Sequence, residues 1–352
     1  MAFPVGPANG ALTTVNGTVY VYNSTKGTWL KQNVGAVTVT NDLTINGNLI
    51  ENGNLTVAGS FIPSSDMMYR NVIVNGGFDV WQRGTSGFTT HNTYTADRWW
   101  FVNDSVGASS VSQVDISSLG MSSIYALRAE RTSGTNRWVV GTQLETIAVK
   151  KLFGKTVTCS FKLRKGSALT SNINVTAGTS STEARYGAMV DWSGSDLVVT
   201  NASLNTSTFT SFSITFSIPS SSSALGFKVE FSANQAGATN AYFDVTDVQV
   251  EIGNKASPFE TRDYGIELVM CQRYYEICPF TAQMNISSIF QYPANQYKVA
   301  KRAAATLTFS GTNNGQTFID YGGATSAVGQ GFRQQTPAST QTDTTVFANA
   351  EL

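Results

Sequence analysis

The chain has almost none of the residues on which most catalytic chemistry rests. One histidine, His91, stands among 352 residues, in the turn-like stretch Thr89-Thr90-His91-Asn92-Thr93. An HExxH helix, a histidine-rich metal set and a His/Cys cluster are therefore excluded, and a Ser-His-Asp triad would have to use that one ring. No serine lies in GxSxG, and neither a P-loop nor a GxGxxG precedes a helical pattern. Three cysteines, Cys159, Cys271 and Cys278, are too few for a disulfide framework and include no CxxC; they fit synthesis in a reducing compartment. Charge is scarce as well: 13% of residues are charged, about half the usual share of roughly 25%. The 23 basic and 23 acidic residues cancel, with no basic run, which argues against an electrostatic footprint for nucleic acid. No apolar run approaches the ~18 residues of a membrane span, so no membrane insertion is expected. Residues 1–7 have neither the basic nor the apolar region of a signal peptide.

Hydroxyls fill the space that charge leaves. Ser and Thr occupy 80 positions, 37 and 43, and Gly another 31, a composition of strands, turns and polar surface rather than of long helices. Residues 1–35 read as a small β unit: Thr13-Thr14-Val15, an Asn16-Gly17 turn, a strand over 18–22, and a second turn before Thr28-Trp29-Leu30. About 30 residues bury little core alone, so the unit is expected to lean on copies of itself or on a larger assembly. Residues 36–66 carry a six-residue repeat, with Val37, Leu43, Leu49, Leu55 and Phe61 at its first position and Gly47, Gly53 and Gly59 at its fifth. So few short units bury almost nothing in isolation. Three chains wrapped about a common axis would supply the core as a trimeric shaft; a Gly/Asn-rich linker is the alternative.

Over 67–263 short apolar-alternating runs recur, at 71–74, 99–102, 124–128, 138–140, 157–163, 209–218, 225–231 and 241–252. In 209–218 Phe212, Ile214, Phe216 and Ile218 alternate with polar neighbours, the period of a half-buried strand. Many such strands predict an antiparallel sandwich, most simply a jelly roll. In 241–252 the apolar parity changes between Val245 and Val248, which reads as a β-bulge. Residues 264–352 open with a helix carrying Ile266, Val269, Met270, Tyr274 and Ile277 on one face and stopped by Pro279; Cys271 and Cys278, seven apart, fall near the same face of it and its end, and strand and turn text follows. The expected fold is mainly β: attachment unit, trimeric repeat shaft, jelly-roll sandwich, one short helix and a β-rich C-terminal region.

Three stretches carry a resemblance. Asn75-Gly76-Gly77-Phe78-Asp79-Val80-Trp81-Gln82-Arg83-Gly84 with Tyr94-Thr95-Ala96-Asp97-Arg98-Trp99 resembles a signature of bacteriophage tail-fibre and related virion proteins. So does Asp247-Val248-Gln249-Val250-Glu251-Ile252-Gly253 leading to Cys271-Gln272-Arg273-Tyr274-Tyr275-Glu276, and Val299-Ala300-Lys301-Arg302-Ala303-Ala304-Ala305-Thr306 is similar to a later motif of the same proteins, which often has Pro where Ala305 stands. The N-terminal unit resembles a virion-attachment segment more weakly. The resemblance implies a sandwich like the jelly-roll carbohydrate-binding modules and a homotrimeric fibre of the phage tail, anchored through its N-terminus to other virion proteins and touching a host surface polysaccharide or receptor.

Several residues could carry that contact. Trp81, Arg83, Asp97, Arg98 and Trp99 admit a sugar site, with an indole covering a pyranose face and charged groups holding hydroxyls, and they admit a core role, which better suits a motif shared among proteins with different receptors. Trp100, Arg137, Trp138, Tyr186 and Trp192 stand beside turns, where binding residues concentrate, and are the glycan candidates. Jelly-roll sugar modules often hold a structural calcium, for which Asp79, Asp244 and Asp247 are candidates; no other cofactor is expected. No paired carboxylates are marked for glycosidase work, so no catalytic residue is named and the chain is expected not to be an enzyme. The reading is thus a fibre that binds host glycan without turnover, gaining avidity from three copies; the alternative is a purely structural virion appendage or adaptor.

Replacing Leu49 with Asp should disrupt a trimeric shaft, because an unpaired charge on a buried axis costs several kcal/mol. Unchanged melting of the trimer would reduce 37–62 to a linker.

Overall fold

The computed structural model describes residues 3–16, 18–31, 69–104, 108–135, 137–183, 193–220, 226–282, 294–311, 318–320, 331–334 and 342–351. The repeat positions Val37, Leu43, Leu49, Leu55 and Phe61 lie outside them, as do Tyr186 and Trp192. Packing divides the chain between Ile62 and Pro63.

The first unit is a three-stranded antiparallel sheet of β1 (Leu12–Val15), β2 (Thr18–Asn23) and β3 (Thr28–Lys31). The first turn carries Asn16 at φ 49°, the left-handed region that Asn tolerates better than most residues. In the second, Lys26 N–H donates to the Asn23 side chain at 3.0 Å. Phe3 lies edge-on to Tyr20 at 4.9 Å and stacks on Trp29 at 5.6 Å. No residue of the three strands is fully buried, as a 30-residue sheet requires.

The second unit is mainly β. Its sandwich strands are β4 (Thr93–Tyr94), β5 (Trp99–Asn103), β6 (Ser109–Asp115), β7 (Tyr125–Arg131), β8 (Arg137–Leu144), β9 (Thr156–Lys165), β10 (Ile173–Ser180), β11 (Ser193–Val199), β12 (Thr210–Ser217), β13 (Gly226–Asn234) and β14 (Tyr242–Ile252), with a one-turn helix α1 (Thr146–Val149) after β8. They form a six-stranded sheet ordered β11-β10-β13-β8-β5-β4 and a five-stranded sheet ordered β12-β9-β14-β7-β6. Alternation decides which face turns in. On β12, Phe212, Ile214 and Phe216 face the core while Ser211, Ser213, Thr215 and Ser217 stay exposed. Aromatic rings join the layers: Phe161 meets Phe231 edge-on at 5.0 Å and Trp138 stacks with Phe243 at 6.4 Å. Each such side chain contributes roughly 1.5–3 kcal/mol of burial.

The parity change in β14 is a bulge between Thr246 and Gln249, with Asp247 at φ 51°. Residues 71–74, expected as a strand, are irregular instead. They run beside the bulge, where Asn71 Nδ2 donates to Val248 O at 3.1 Å and Asn71 Oδ1 accepts from Val250 N–H at 3.1 Å. A Cβ on Gly76 would fall 2.1 Å from Val248 O, so only glycine permits this approach.

The helix also differs from expectation. α2 (Tyr264–Gln272) stops before Tyr274, and β15 (Tyr275–Ala282) follows as a strand containing Ile277, Cys278 and Pro279. Ile266 and Val269 are exposed, while Glu267, Cys271 and Gln272 turn inward. Polar contacts overrule apolar periodicity here: Glu267 accepts the Asn75 backbone N–H and pairs with Arg262. Pro279 is tolerated because β15 is an edge strand. The remaining strands, β16 (Ala294–Gln296), β17 (Thr306–Gly311), β18 (Phe318–Asp320), β19 (Gly331–Gln334) and β20 (Thr342–Asn349), complete two three-stranded sheets, β15-β20-β17 and β16-β19-β18. Residues 63–352 pack as one unit.

Ion pairs fasten this C-terminal region to the sandwich. Glu351 pairs with Arg98, and Arg83 reaches it at 3.4 Å. Arg98 also donates to Gln143 O at 2.6 Å and lies over the Tyr274 ring at 3.6 Å. Glu145 takes Arg273 at 2.8 Å and the Tyr274 hydroxyl at 2.5 Å. Lys301, fully buried, pairs with Glu276 and donates to Gln272 O at 2.6 Å. Glu351→Ala leaves the buried Arg98 guanidinium without its counter-charge and should lower stability by about 3–5 kcal/mol; a melting curve matching the wild type would contradict this account of the seam.

Candidate functional site

The motif residues meet in one buried network. Asn75, at φ 59°, donates through Nδ2 to Val80 O at 2.8 Å and Asp97 O at 3.0 Å, and its Oδ1 accepts from Val80 N–H at 3.0 Å. Its own carbonyl accepts from Trp99 Nε1 at 3.0 Å. Asp97 accepts from Gln82 N–H at 2.6 Å and Gln82 Nε2 at 2.8 Å, with Arg83 at 3.7 Å. Arg83 covers the Tyr275 ring at 3.6 Å. Trp81 donates to Phe78 O at 2.8 Å, and both Trp81 and Trp99 are buried. The structure therefore places Trp81, Arg83, Asp97, Arg98 and Trp99 inside the molecule, where they close the sandwich and hold the C-terminal strand.

The glycan candidates are corrected in part. Trp100 and Trp138 are 1% and 0% exposed, so neither indole can offer a face to a ligand; each sits on a mid-sheet strand rather than in the turn beside it. Arg137 is at the surface, paired with Asp104 at 3.4 Å. Of the calcium candidates, Asp79 lies near Asp247, and Asp244 is committed elsewhere. Asp244 is completely buried and held by Arg128 at 2.8 Å and Arg164 at 2.6 Å, so both oxygens already face cations. Asp247 accepts from Ser123 Oγ at 2.5 Å and pairs with Lys162 at 2.8 Å. Among the described residues no group of three or more His, Cys, Asp and Glu side chains is placed to hold a metal ion.

A cleft of about 490 Å³ opens on the outer face of the five-stranded sheet. Its floor comes from the paired strands β9 and β12, whose outward residues stand opposite each other: Thr158 and Thr215, Ser160 and Ser213, Lys162 and Ser211. Thr158 and Thr215 share a hydrogen bond at 2.9 Å. The hydroxyls of Ser160, Ser211 and Ser213 have no partner among the described residues and face the cleft. Asp247 and Ser122 form one wall, and Ser257, Pro258 and Phe259 another. That second wall is anchored, not loose. Ser257 donates to Glu251 through N–H at 2.8 Å and Oγ at 2.6 Å, and Glu260 N–H donates to Gln249 Oε1 at 2.8 Å. The cleft thus offers hydroxyls with no partner among the described residues, one ammonium and the aromatic carbon of Phe259, a set that suits a polyhydroxylated ligand. The sequence reading missed it, although the serines at alternate positions of 209–218 mark the face.

No family profile matches the chain, and no curated protein matches it. Solved structures similar to it include the enzymatically active domain of a tailspike protein of bacteriophage CBA120 (11% identity, TM-score 0.36, covering 53% of this chain and 22% of that one). Others are an arabinose-bound α-L-arabinofuranosidase (14%, TM-score 0.31, 50% and 26%) and a xylan-binding domain from Paenibacillus barcinonensis (15%, TM-score 0.31, 48% and 99%). The chain spans about a quarter of the length of the first two. The expectation that it is not an enzyme is corrected: the structures it is similar to include an enzymatically active domain and an α-L-arabinofuranosidase.

Burial, then the carboxylates of Glu267 and Asp247, push the Asp79 carboxyl from 3.8 up to about 6. Burial does the same to Asp97, up to about 6, against the pull of Arg83 and the Gln82 donors. A carboxyl that holds its proton more tightly folded than unfolded contributes stability at low pH that is lost as pH rises from about 4 through about 6. Asp79→Asn should therefore raise stability at neutral pH by about 1–2 kcal/mol, allowing for its partial exposure, and flatten the decline across that range. Melting temperatures measured between pH 4 and 8 check both.

Proposed function

We propose that the chain binds saccharide in the cleft between β9, β12 and the 257–260 wall, and that it does so as a receptor-binding component of a phage virion. The observation that carries the first part is the row of hydroxyls at Ser160, Ser211 and Ser213, without partners among the described residues, beside Lys162 and Phe259. A sugar needs many short-range donors and acceptors together with apolar carbon for its ring faces. The resemblance of 75–99, 247–276 and 299–306 to phage virion proteins supports the second part. The apolar period at Val37, Leu43, Leu49, Leu55 and Phe61 supports a homotrimer. In that reading the 1–35 unit joins other virion proteins, and three clefts engage a host surface polysaccharide with the avidity of linked sites.

Ser213→Tyr tests the cleft. Ser213 is exposed, so the fold should tolerate the change while the phenol fills the floor. Binding to an oligosaccharide panel carrying neutral and acidic sugars should fall at least about tenfold with melting unaltered, and light scattering of the intact protein should give the mass of a trimer. Wild-type protein that is folded yet binds no saccharide, or a variant that binds as before, would remove the cleft from consideration.

A further inference from the structure

On the outer face of the five-stranded sheet, Asp244 and Asp247 each lie beneath a cation, while Glu130, two residues along β7 from Arg128, accepts from the Asn240 N–H at 3.2 Å. Asp244 stands in register between Arg128 of β7 and Arg164 of β9. Its side chain is 0% exposed, whereas Arg128 is 24% and Arg164 12% exposed. Asp247 is 2% exposed beneath Lys162 at 25%. Two carboxylates and three cations leave this cluster with one net positive charge, and what reaches solvent is positive. Coulomb energy falls with distance and rises as water is excluded, so a ligand lying on this face meets the three cations before the carboxylates under them.

Donors remain for such a ligand. Arg128 spends Nε and Nη2 on Asp244, and Arg164 does the same, which leaves Nη1 of each. Lys162 Nζ has three protons; it pairs with Asp247 Oδ2 at 2.8 Å and lies 3.9 Å from Met121 Sδ. The guanidinium of Arg128 is fixed over the Tyr242 ring at 3.5 Å, and the two arginines share one carboxylate, so little ordering is left to do on binding. These cations continue the hydroxyl row of the cleft along the same strand: Thr158, Ser160, Lys162 and Arg164 are successive outward residues of β9.

We infer that this face recognises an anionic saccharide, its hydroxyls on the serine row and its carboxylate or other acidic substituent at Lys162, Arg164 and Arg128. The inference rests on the proposed reading of the cleft and adds the charge of the ligand to it. Three pinned cations in a chain of net charge zero suit spaced acidic groups on a sugar polymer better than the continuous phosphates of a nucleic acid.

Calorimetry with the intact protein tests this, using oligogalacturonate and oligoalginate, each as free acid and as methyl ester, beside neutral oligosaccharides and single-stranded DNA. Esterification erases the charge and keeps the sugar. The free acids should bind at least about tenfold more tightly than their esters, the worth of one charge-assisted hydrogen bond, and should weaken as salt rises from about 50 to about 300 mM. Lys162→Met should abolish the preference while keeping the wild-type circular dichroism spectrum, with some loss of melting temperature as Asp247 loses its counter-charge, and Lys162→Arg should restore the preference. Equal affinity for acid and ester, an unchanged preference in Lys162→Met, or binding of neutral sugars alone would overturn the inference and leave the cleft standing. Failure of every saccharide would remove the cleft as well, and tighter binding of DNA than of either acid would replace the sugar with nucleic acid.

Discussion

The residue inserted into β14 at Asp247 lets one strand serve two registers. Before it, Phe243 and Val245 enter the core; after it, Val248 and Val250 do. Without the insertion the second pair would turn to solvent, because a shift of one residue exchanges the two faces of a strand. The same extra residue brings Thr246 and Asp247 together on the outer face, where Asp247 meets Lys162 and Ser123. It also presents Val248 to the motif segment, through the contact that only Gly76 allows. Core, cleft wall and motif loop all depend on that one distortion of the ladder.

Much of the fold was legible because alternation is a direct record of which side of a strand meets water. Thr210–Ser217 and Thr156–Lys165 became strands where their period of two placed them, and the bulge announced itself as a change of parity. The misreadings lie where polar contacts outweigh apolar pattern. In Tyr264–Gln272 the buried side carries Glu267, since Arg262 and the Asn75 amide give that carboxylate more than Ile266 would gain from the interior. Residues 71–74 look like a strand, but Asn71 satisfies the neighbouring backbone with its own side chain instead of joining a ladder.

The candidate site was harder to read for the opposite reason. Tryptophan and arginine draw attention as ligand groups, yet here Trp99, Trp138 and Arg98 are the largest side chains of the interior. Stacking and ion pairing that would serve a sugar serve the protein itself, as where Arg98 lies on Tyr274 and Arg83 on Tyr275. The cleft is lined instead by serines, which a hydroxyl-rich sequence hides among dozens of others. Only the pairing of β9 with β12 sets Ser160 against Ser213 and Lys162 against Ser211, and that register is tertiary information.

The contact between Arg98 and Glu351 joins residues 253 positions apart, and this has a bearing on how the protein is made. At translation rates of about 5–20 residues per second, the arginine leaves the ribosome on the order of ten seconds or more before its carboxylate exists. A sandwich that closed early would trap an uncompensated guanidinium, so the nascent domain is better off open until Glu351 arrives, and closure over so long a separation is slow. Products that stop before residue 351 would then expose the sandwich interior to chaperones and proteases, and synthesis through Glu351 becomes a condition for its burial.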